Sequence, residues 1–274
     1  MITLASDFGT PYPAAMRGVI FRRTEARIAD ISHHLPAHDP RAAAFWLRFL
    51  LPEYPPAVHC AVVDPGVGTD RDAVVFRADG HAIIAPDNGL AYPTARALAL
   101  GERASASHVA DDGRERDTHA LDDIGIEVFR LSTLDSASTT FHGRDVFAPL
   151  AAQVHETGVG ALETIDRLEP APDPVRMTLP DAIVSDDTLA RGRVITTDDF
   201  GNVITNILGK VIPDVDHVTV NGERVPFGDT FAAVQPGDQV VVIGSHGYLE
   251  CDVREGDGSD AFDLTPTDSV TVRF

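Results

Sequence analysis

The chain has 274 residues, 43% of them hydrophobic, and 42 acidic residues against 22 basic ones leave a formal net charge of −20. This is enough for one or two domains with a sizeable core. It excludes a nucleic-acid or anionic-lipid binder, which so acidic a surface repels, and no apolar run approaches the roughly 20 residues of a membrane span.

The first half alternates between two periodicities. Ile2 to Ser6 reads as a strand, Pro13 to Arg23 as a helix, Ala26 to Ile31 as a strand, and Pro40 to Leu51 as a helix with apolar residues at three- and four-residue steps. Val58 to Val63 is the next strand, followed by strand-like runs at Ala73–Arg77 and Ala82–Ala85. Helices are predicted from Gly89 to Leu100 and from Arg144 to Glu156, with a polar surface loop between them at Ala110–Asp123. Such β/α alternation predicts a mostly parallel sheet flanked by helices.

The texture changes at Leu168-Glu169-Pro170-Ala171-Pro172-Asp173-Pro174, a proline-spaced acidic stretch that reads as a linker. Beyond it the strands are short: Gly192–Thr196, His217–Val220, Gln239–Ile243, Tyr248–Val253 and Ser269–Phe274, with a hairpin signal at Asn221-Gly222. The predicted plan is an α/β domain over 1–167, a linker over 168–180 and a small all-β barrel over 181–274.

Chemistry concentrates in a few loops. The apolar run Ala61 to Val63 stops at Asp64 and turns through Pro65, Gly66 and Gly68, which delivers Asp64 to the carboxyl end of a buried strand. Ligands of open α/β sheets bind at that edge. Arg71 follows at a distance a loop can fold back across. Two further segments, Phe141-His142-Gly143-Arg144-Asp145 and Asp198-Asp199-Phe200-Gly201-Asn202-Val203-Ile204-Thr205-Asn206, have the look of parts of the same site.

Together with Ser6-Asp7-Phe8-Gly9, Asp30-Ile31-Ser32-His33, Ala85-Pro86-Asp87-Asn88-Gly89 and Gly244-Ser245-His246-Gly247-Tyr248-Leu249-Glu250, these segments resemble one family nearly end to end. That family is the S-adenosyl-L-methionine hydrolases that release adenosine, relatives of the bacterial fluorinase and chlorinase. The resemblance implies attack of water or hydroxide on the ribose C5′ carbon, in line with the breaking carbon–sulfur bond. Adenosine and L-methionine are the products. It also implies the same two-domain plan and a homotrimer with the nucleoside pocket between one subunit's α/β domain and its neighbour's barrel. No metal or other cofactor is implied, because the thioether leaves as a neutral group. The cluster His33, His34, His38 and Asp39 has no second ligand set beside it.

Asp64, Arg71 and His142 match the family's water-activating trio. A carboxylate or a neutral imidazole can accept the water's proton, and a guanidinium can hold developing hydroxide; whether Asp64 or His142 is the base stays open. Asp7, just after the first strand, matches a residue that accepts the ribose hydroxyls. Asp198 and Asn202 match residues that grip the methionine ammonium and the purine edge, the alternative being an Asx-turn with Gly201 at positive φ. Phe200 offers a flat face to adenine or a side chain to the core. Ser245, Tyr248 and Glu250 match the segment that meets methionine and adenine. His38, His246 and Arg254 depart from the family pattern, and the loop between Gly9 and Tyr12 is shorter than in relatives.

Two other functions compete. The halogenases carry Tyr-Ser or Tyr-Gly where this chain has His142-Gly143, and an imidazole beside a guanidinium suits a protic nucleophile better than a halide. A non-catalytic adenosine or S-adenosylmethionine binder could use the same binding residues without needing the trio. Cys60 and Cys251 are too few for a disulfide framework, and no charged segment followed by an apolar stretch opens the chain, so the cytoplasm is the expected compartment. Only Lys210 among the basic residues is lysine, and the acid is spread along the chain. This predicts a halophilic protein whose self-repulsion is screened by salt.

Overall fold

A computed structural model describes residues 1–101, 121–132, 140–185 and 188–274. The loop predicted at 110–123 lies outside them except for its last three residues. The described residues divide into two compact units between Thr178 and Leu179.

In the first unit, β1 (Ile2–Ser6), β2 (Ile28–Ser32), β3 (Val58–Val62), β4 (Ala73–Ala78), β5 (His81–Pro86), β6 (Glu127–Leu131) and β7 (Leu168–Pro170) form one sheet in the order β2-β1-β3-β5-β4-β6-β7. The pairings from β2 to β5 are parallel; those from β5 to β7 are antiparallel. The sheet is therefore mixed, not mostly parallel. The reason is local. Asp79 and Gly80 take positive φ and join β4 to β5 as a two-residue hairpin, with Ala78 opposite His81. No crossover helix intervenes, so the strands must run antiparallel. The linker expected over 168–180 starts as strand, because Leu168–Pro170 pairs with β6 along the sheet edge.

Both faces of this sheet are covered. Cys60 and Val62 of β3 face a core shared with Met16 and Ile20 of α1 (Tyr12–Phe21), while Ala61 and Val63 face Ala43 and Leu47 of α2 (Pro40–Leu50) and Ala95 and Leu98 of α3 (Tyr92–Ala99). The first face is completed by Leu150, Ala151 and Val154 of α4 (Ala148–Thr157). A continuous apolar strand split by its period of two is what a doubly covered sheet requires. Each fully buried aliphatic side chain contributes about 1.5–3 kcal/mol. Helix α2 starts where the sequence directs it: Asp39 accepts hydrogen bonds from Arg41 N at 2.9 Å and Ala42 N at 3.0 Å, and Pro40 holds the first helical position.

The second unit is an antiparallel sheet of β8 (Ile183–Ser185), β9 (Leu189–Thr197), β10 (Val203–Leu208), β11 (His217–Val220), β12 (Glu223–Pro226), β13 (Gln239–Ile243), β14 (Tyr248–Val253) and β15 (Ser269–Arg273). Its order is β12-β11-β15-β9-β10-β14-β13, with β8 pairing β9 off this path. Gly228 N donates to Val241 O at 3.0 Å, which links the chain after β12 to β13 and nearly closes a barrel. Asn221-Gly222 makes the expected hairpin, Val220 opposite Glu223. A short helix, α5 (Gly258–Phe262), follows β14. β10 was absent from the predicted strands because Thr205 and Asn206 interrupt its apolar run. Both polar side chains are buried and satisfied: Thr205 Oγ1 donates to Leu249 O at 3.0 Å, and Asn206 Oδ1 accepts from Arg193 N at 2.7 Å.

Candidate active site

The chain passes from β1 to β2 on one side and then returns to place β3 on the other, so the strand order reverses between β1 and β3. Side chains at the carboxyl ends of two such strands flank a crevice. Asp7 directly follows β1, Asp64 follows β3 by two residues, and Asp87 and Asn88 follow β5. All lie at one edge of the parallel block.

Asp64 and Arg71 meet there. Arg71 Nε lies 3.0 Å from Asp64 Oδ1; the carboxylate side chain is 3% exposed and the guanidinium 30%. The N–H is not aligned for a hydrogen bond, so the contact is an ion pair by distance rather than a shared proton. Asp64 Oδ1 also accepts from Gly66 N at 2.9 Å, which closes the turn. Gly66 is required by close approach: a Cβ there would stand 2.6 Å from Arg71 Nη2 and 3.2 Å from Cζ. The guanidinium therefore rests on the bare backbone of the turn that carries its partner.

Asp7 Oδ2 accepts from His38 N at 2.9 Å. The loops after β1 and β2 brace each other through Gly9 N to His33 O at 2.7 Å and Leu35 N to Ser6 O at 3.1 Å. His33 is not a free ligand. Its Nε2 is 3.0 Å from Asp30 Oδ1 and its Nδ1 2.8 Å from Ser6 Oγ, while Arg17 also binds Asp30. Among the described residues no group of three or more His, Cys, Asp or Glu could hold a metal ion.

His142 precedes a π-helical turn, Gly143–Phe147, that leads into α4, a wider start than the single helix predicted from Arg144. Ala148 N donates to Gly143 O, one residue further back than in an α-helix, and the next residue, Pro149, has no N–H to give Asp145 O. A Cβ on Gly143 would meet Phe8 Cε2 at 2.6 Å and Phe141 Cε2 at 3.2 Å. Phe8 follows Asp7, so this contact seats the His142 turn against the β1 loop. Phe8 and Phe141 pack on the same core as Val62. Among the described residues, no hydrogen bond or ion pair joins His142 to the Asp64–Arg71 pair.

In the second unit Asp198 is committed to its own turn. Oδ1 accepts from Phe200 N at 2.9 Å and Asn202 N at 3.0 Å, and Oδ2 from Asn202 Nδ2 at 3.0 Å, with Gly201 at φ +85°. This is the Asx-turn alternative realised. A carboxylate with about four acceptor sites and an amide with a second N–H still keep capacity for a ligand. Phe200 is 80% exposed and takes no part in the core. Ser245 is exposed, whereas Tyr248 and Glu250 are buried. His246 Nε2 lies 2.8 Å from Glu250 Oε1, and Tyr248 N donates to His246 Nδ1 at 3.2 Å, which fixes the proton on Nε2.

Three residues outside the predicted set stand out. Asp87 and Asn88 brace the Asp64 loop; the sequence reading used them only as marks of resemblance. Asp252, two residues beyond Glu250 on the same strand face, is 0% exposed, and neither carboxylate oxygen has a hydrogen-bond partner among the described residues. Burial, then Glu250 and Asp198, pushes its carboxyl up to about 8. Strand alternation with Leu249, Cys251 and Val253 was the available signal.

A crevice carboxylate ion-paired to arginine, on an α/β sheet followed in the chain by a nearly closed antiparallel β unit, defines a two-domain α/β–β protein. The model of the SAM hydroxide adenosyltransferase N-terminal domain matches residues 2–165, and that of its C-terminal domain matches residues 192–271. The chain belongs to this family. It is 34% identical to the (R)-S-adenosyl-L-methionine hydrolase of Salinispora tropica, over 99% of this chain and 97% of that one. Identity to the (R)-S-adenosyl-L-methionine hydrolase of Thermus thermophilus is 37% over 94% of each chain. Among solved structures, an uncharacterized conserved protein from Thermotoga maritima superposes over 100% of both chains with a TM-score of 0.77 at 27% identity. A conserved hypothetical protein from Thermus thermophilus gives 0.70 at 32% identity, covering 99% of this chain and 98% of that one. No helix among the described residues is long and apolar enough to cross a membrane.

Proposed function

We propose that the chain hydrolyses (R)-S-adenosyl-L-methionine to adenosine and L-methionine. One observation carries the reading: both domain models of the family match, in order, a chain whose strand-order reversal holds the Asp64–Arg71 pair. The sulfonium leaves as neutral methionine thioether, so departure needs no proton donor, metal or other cofactor. Water or hydroxide forms a bond to C5′ as the C5′–sulfur bond breaks, and the electron pair of that bond stays on sulfur. The water's surplus proton passes to the protein.

The residue roles belong to the same proposal. Arg71 holds the developing hydroxide, and Asp64 or His142 takes the proton. Asp64 Oδ1 is occupied by Gly66 N and Arg71, which leaves Oδ2 for the water. Asp7 accepts the ribose hydroxyls. Asp198 and Asn202 meet the methionine ammonium and the purine edge with the acceptor and donor capacity their turn leaves over. The exposed Phe200 ring stacks on adenine, and Ser245, Tyr248 and Glu250 complete that side. Holding the nucleoside and one water in line can supply up to about 7–11 kcal/mol of the barrier.

The reading extends to a cytoplasmic homotrimer with sites between subunits, the plan the resemblance implies, and to a halophilic source, supported by the net charge of −20. Sedimentation in high and low salt measures both. The activity is tested by incubation with S-adenosylmethionine in high salt, with and without chloride. Adenosine and methionine in both buffers support the hydrolase. A 5′-halogenated nucleoside, or intact ligand recovered on the protein, overturns it.

A further inference from the structure

We infer that Asn88 is a positioning residue for the Asp64–Arg71 pair, holding the start of the loop that carries Asp64 while its neighbour Asp87 holds the end that carries Arg71. The inference rests on the catalytic reading of Asp64 and Arg71 given above.

The loop from Asp64 to Asp72 is a series of turns with little packing of its own: most of residues 66–70 are exposed. Its internal bonds are short-range, from Thr69 N and Thr69 Oγ1 to Gly66 O at 3.1 and 2.7 Å. What fixes it to the sheet comes from the turn after β5. Asn88 Nδ2 donates to Val63 O at 2.8 Å, the peptide that joins Val63 to Asp64. Asp87 O accepts from Arg71 Nη1 at 3.4 Å, and Asp87 N donates to Asp72 O at 2.9 Å. Two consecutive residues thus grip both ends of the loop. Their own turn is locked from behind: Asn88 Oδ1 accepts from Leu90 N at 3.1 Å, and Asp87 Oδ1 accepts from Val175 N at 2.8 Å.

The grip acts on orientation. Fixing the Val63 carbonyl fixes the plane of the Val63–Asp64 peptide, and with it the direction in which the Asp64 side chain leaves the backbone. The ion pair alone cannot set that direction, since Arg71 Nε is near Asp64 Oδ1 without alignment. The Asn88 amide donates to Val63 O and accepts from Leu90 N at once, which an ionised carboxylate of the same size cannot do. A small misplacement of a reacting group is enough to cost about 100-fold in rate.

Asn88→Asp separates the two bonds. It keeps the acceptor for Leu90 N and replaces the donor to Val63 O by a carboxylate oxygen. We expect kcat for S-adenosylmethionine to fall about 30- to 100-fold with KM within about 3-fold and the melting temperature little changed. The loss should shrink as pH falls through the new carboxyl's titration, because the neutral O–H can donate to Val63 O again. Asn88→Ala should lose as much kcat with no such recovery. Wild-type kcat in Asn88→Asp, or a loss with no pH dependence relative to wild type, overturns the positioning role. Asp64→Ala, assayed alongside, separates the two ideas. If it is inactive while Asn88→Asp is fully active, only the positioning role is wrong. If Asp64→Ala turns over at the wild-type rate, the catalytic reading falls and the positioning role with it.

Discussion

Asp64 and Asp198, both proposed above as site carboxylates, each follow a strand, yet they are held in opposite ways. Asp198 is fixed by its own turn, with three bonds from residues no more than four positions away. Asp64 takes one local bond from Gly66 and otherwise depends on Arg71, seven residues on, and on a backbone gripped by Asn88, 24 residues beyond it. A locally fixed carboxylate is a binding fixture: it presents a set geometry whatever else moves. A carboxylate held from several elements is placed by the fold and loses its geometry when any one support goes. The proposed division of labour, chemistry at Asp64 and grip at Asp198, follows that difference.

The sharpest way to break the comparison is at the chemistry. Asp64→Ala or Arg71→Ala should lower kcat by about 100- to 10,000-fold, the range of a lost general base or a lost charge stabiliser, measured as adenosine released per active site. Gly66→Ala should follow, at about 10- to 100-fold. The three atoms nearest the added methyl all belong to the flexible end of Arg71, so stability should change little while the guanidinium is displaced. Asp198→Ala should act mainly on KM, and thermal unfolding should show about 1–2 kcal/mol lost with the turn's bonds.

Two buried titratable groups extend the contrast between supported and unsupported residues. His59 has partners on neighbouring strands, with Thr3 Oγ1 at 2.7 Å from Nδ1 and His81 Nδ1 at 2.9 Å from Nε2. Burial, then His81, pushes His59 down to about 3, and burial lowers His81 despite Asp79. Both stay neutral in the fold while the unfolded chain takes up protons below the ordinary imidazole range. Their contribution is therefore complete at neutral pH and is lost as pH falls toward about 3; urea midpoints should show up to about 2 kcal/mol lost near pH 5. Asp252 has no hydrogen-bond partner among the described residues, and its carboxyl is raised to about 8. The unfolded chain ionises there above the ordinary carboxylate range while the fold keeps the proton, so stability is lost as pH rises toward about 8. Asp252→Asn should stabilise by about 1–3 kcal/mol at alkaline pH and by nothing near pH 4.

What the sequence made legible follows the same division. Local signals read well: the helix starting at Pro40, the hairpin at Asn221-Gly222, and the apolar run of β3 that ends at Asp64. The hairpin at Asp79-Gly80 carried a two-residue signal too, but the strand-like runs on either side read as members of a β/α series, and half of the sheet's pairings came out antiparallel. β7 was hidden because Pro170, with Pro172 and Pro174 beyond it, resembles a linker, although an edge strand tolerates a proline. β10 was hidden by Thr205 and Asn206, whose partners lie on other strands. Asp7, Asp64, Arg71 and His142 could be nominated from loops and resemblance. The grip of Asn88 on Val63 could not, because it exists only once β3 and β5 lie side by side.

The central claim is that a water molecule attacks C5′ and displaces the thioether. Turnover of S-adenosylmethionine in water enriched in heavy oxygen tests it most directly, with mass spectrometry of the released nucleoside. The account predicts adenosine carrying one heavy oxygen, at the 5′-hydroxyl, together with unlabelled methionine. Adenosine without the label, a nucleoside with halogen at that carbon, or label appearing only in the amino-acid product would contradict it.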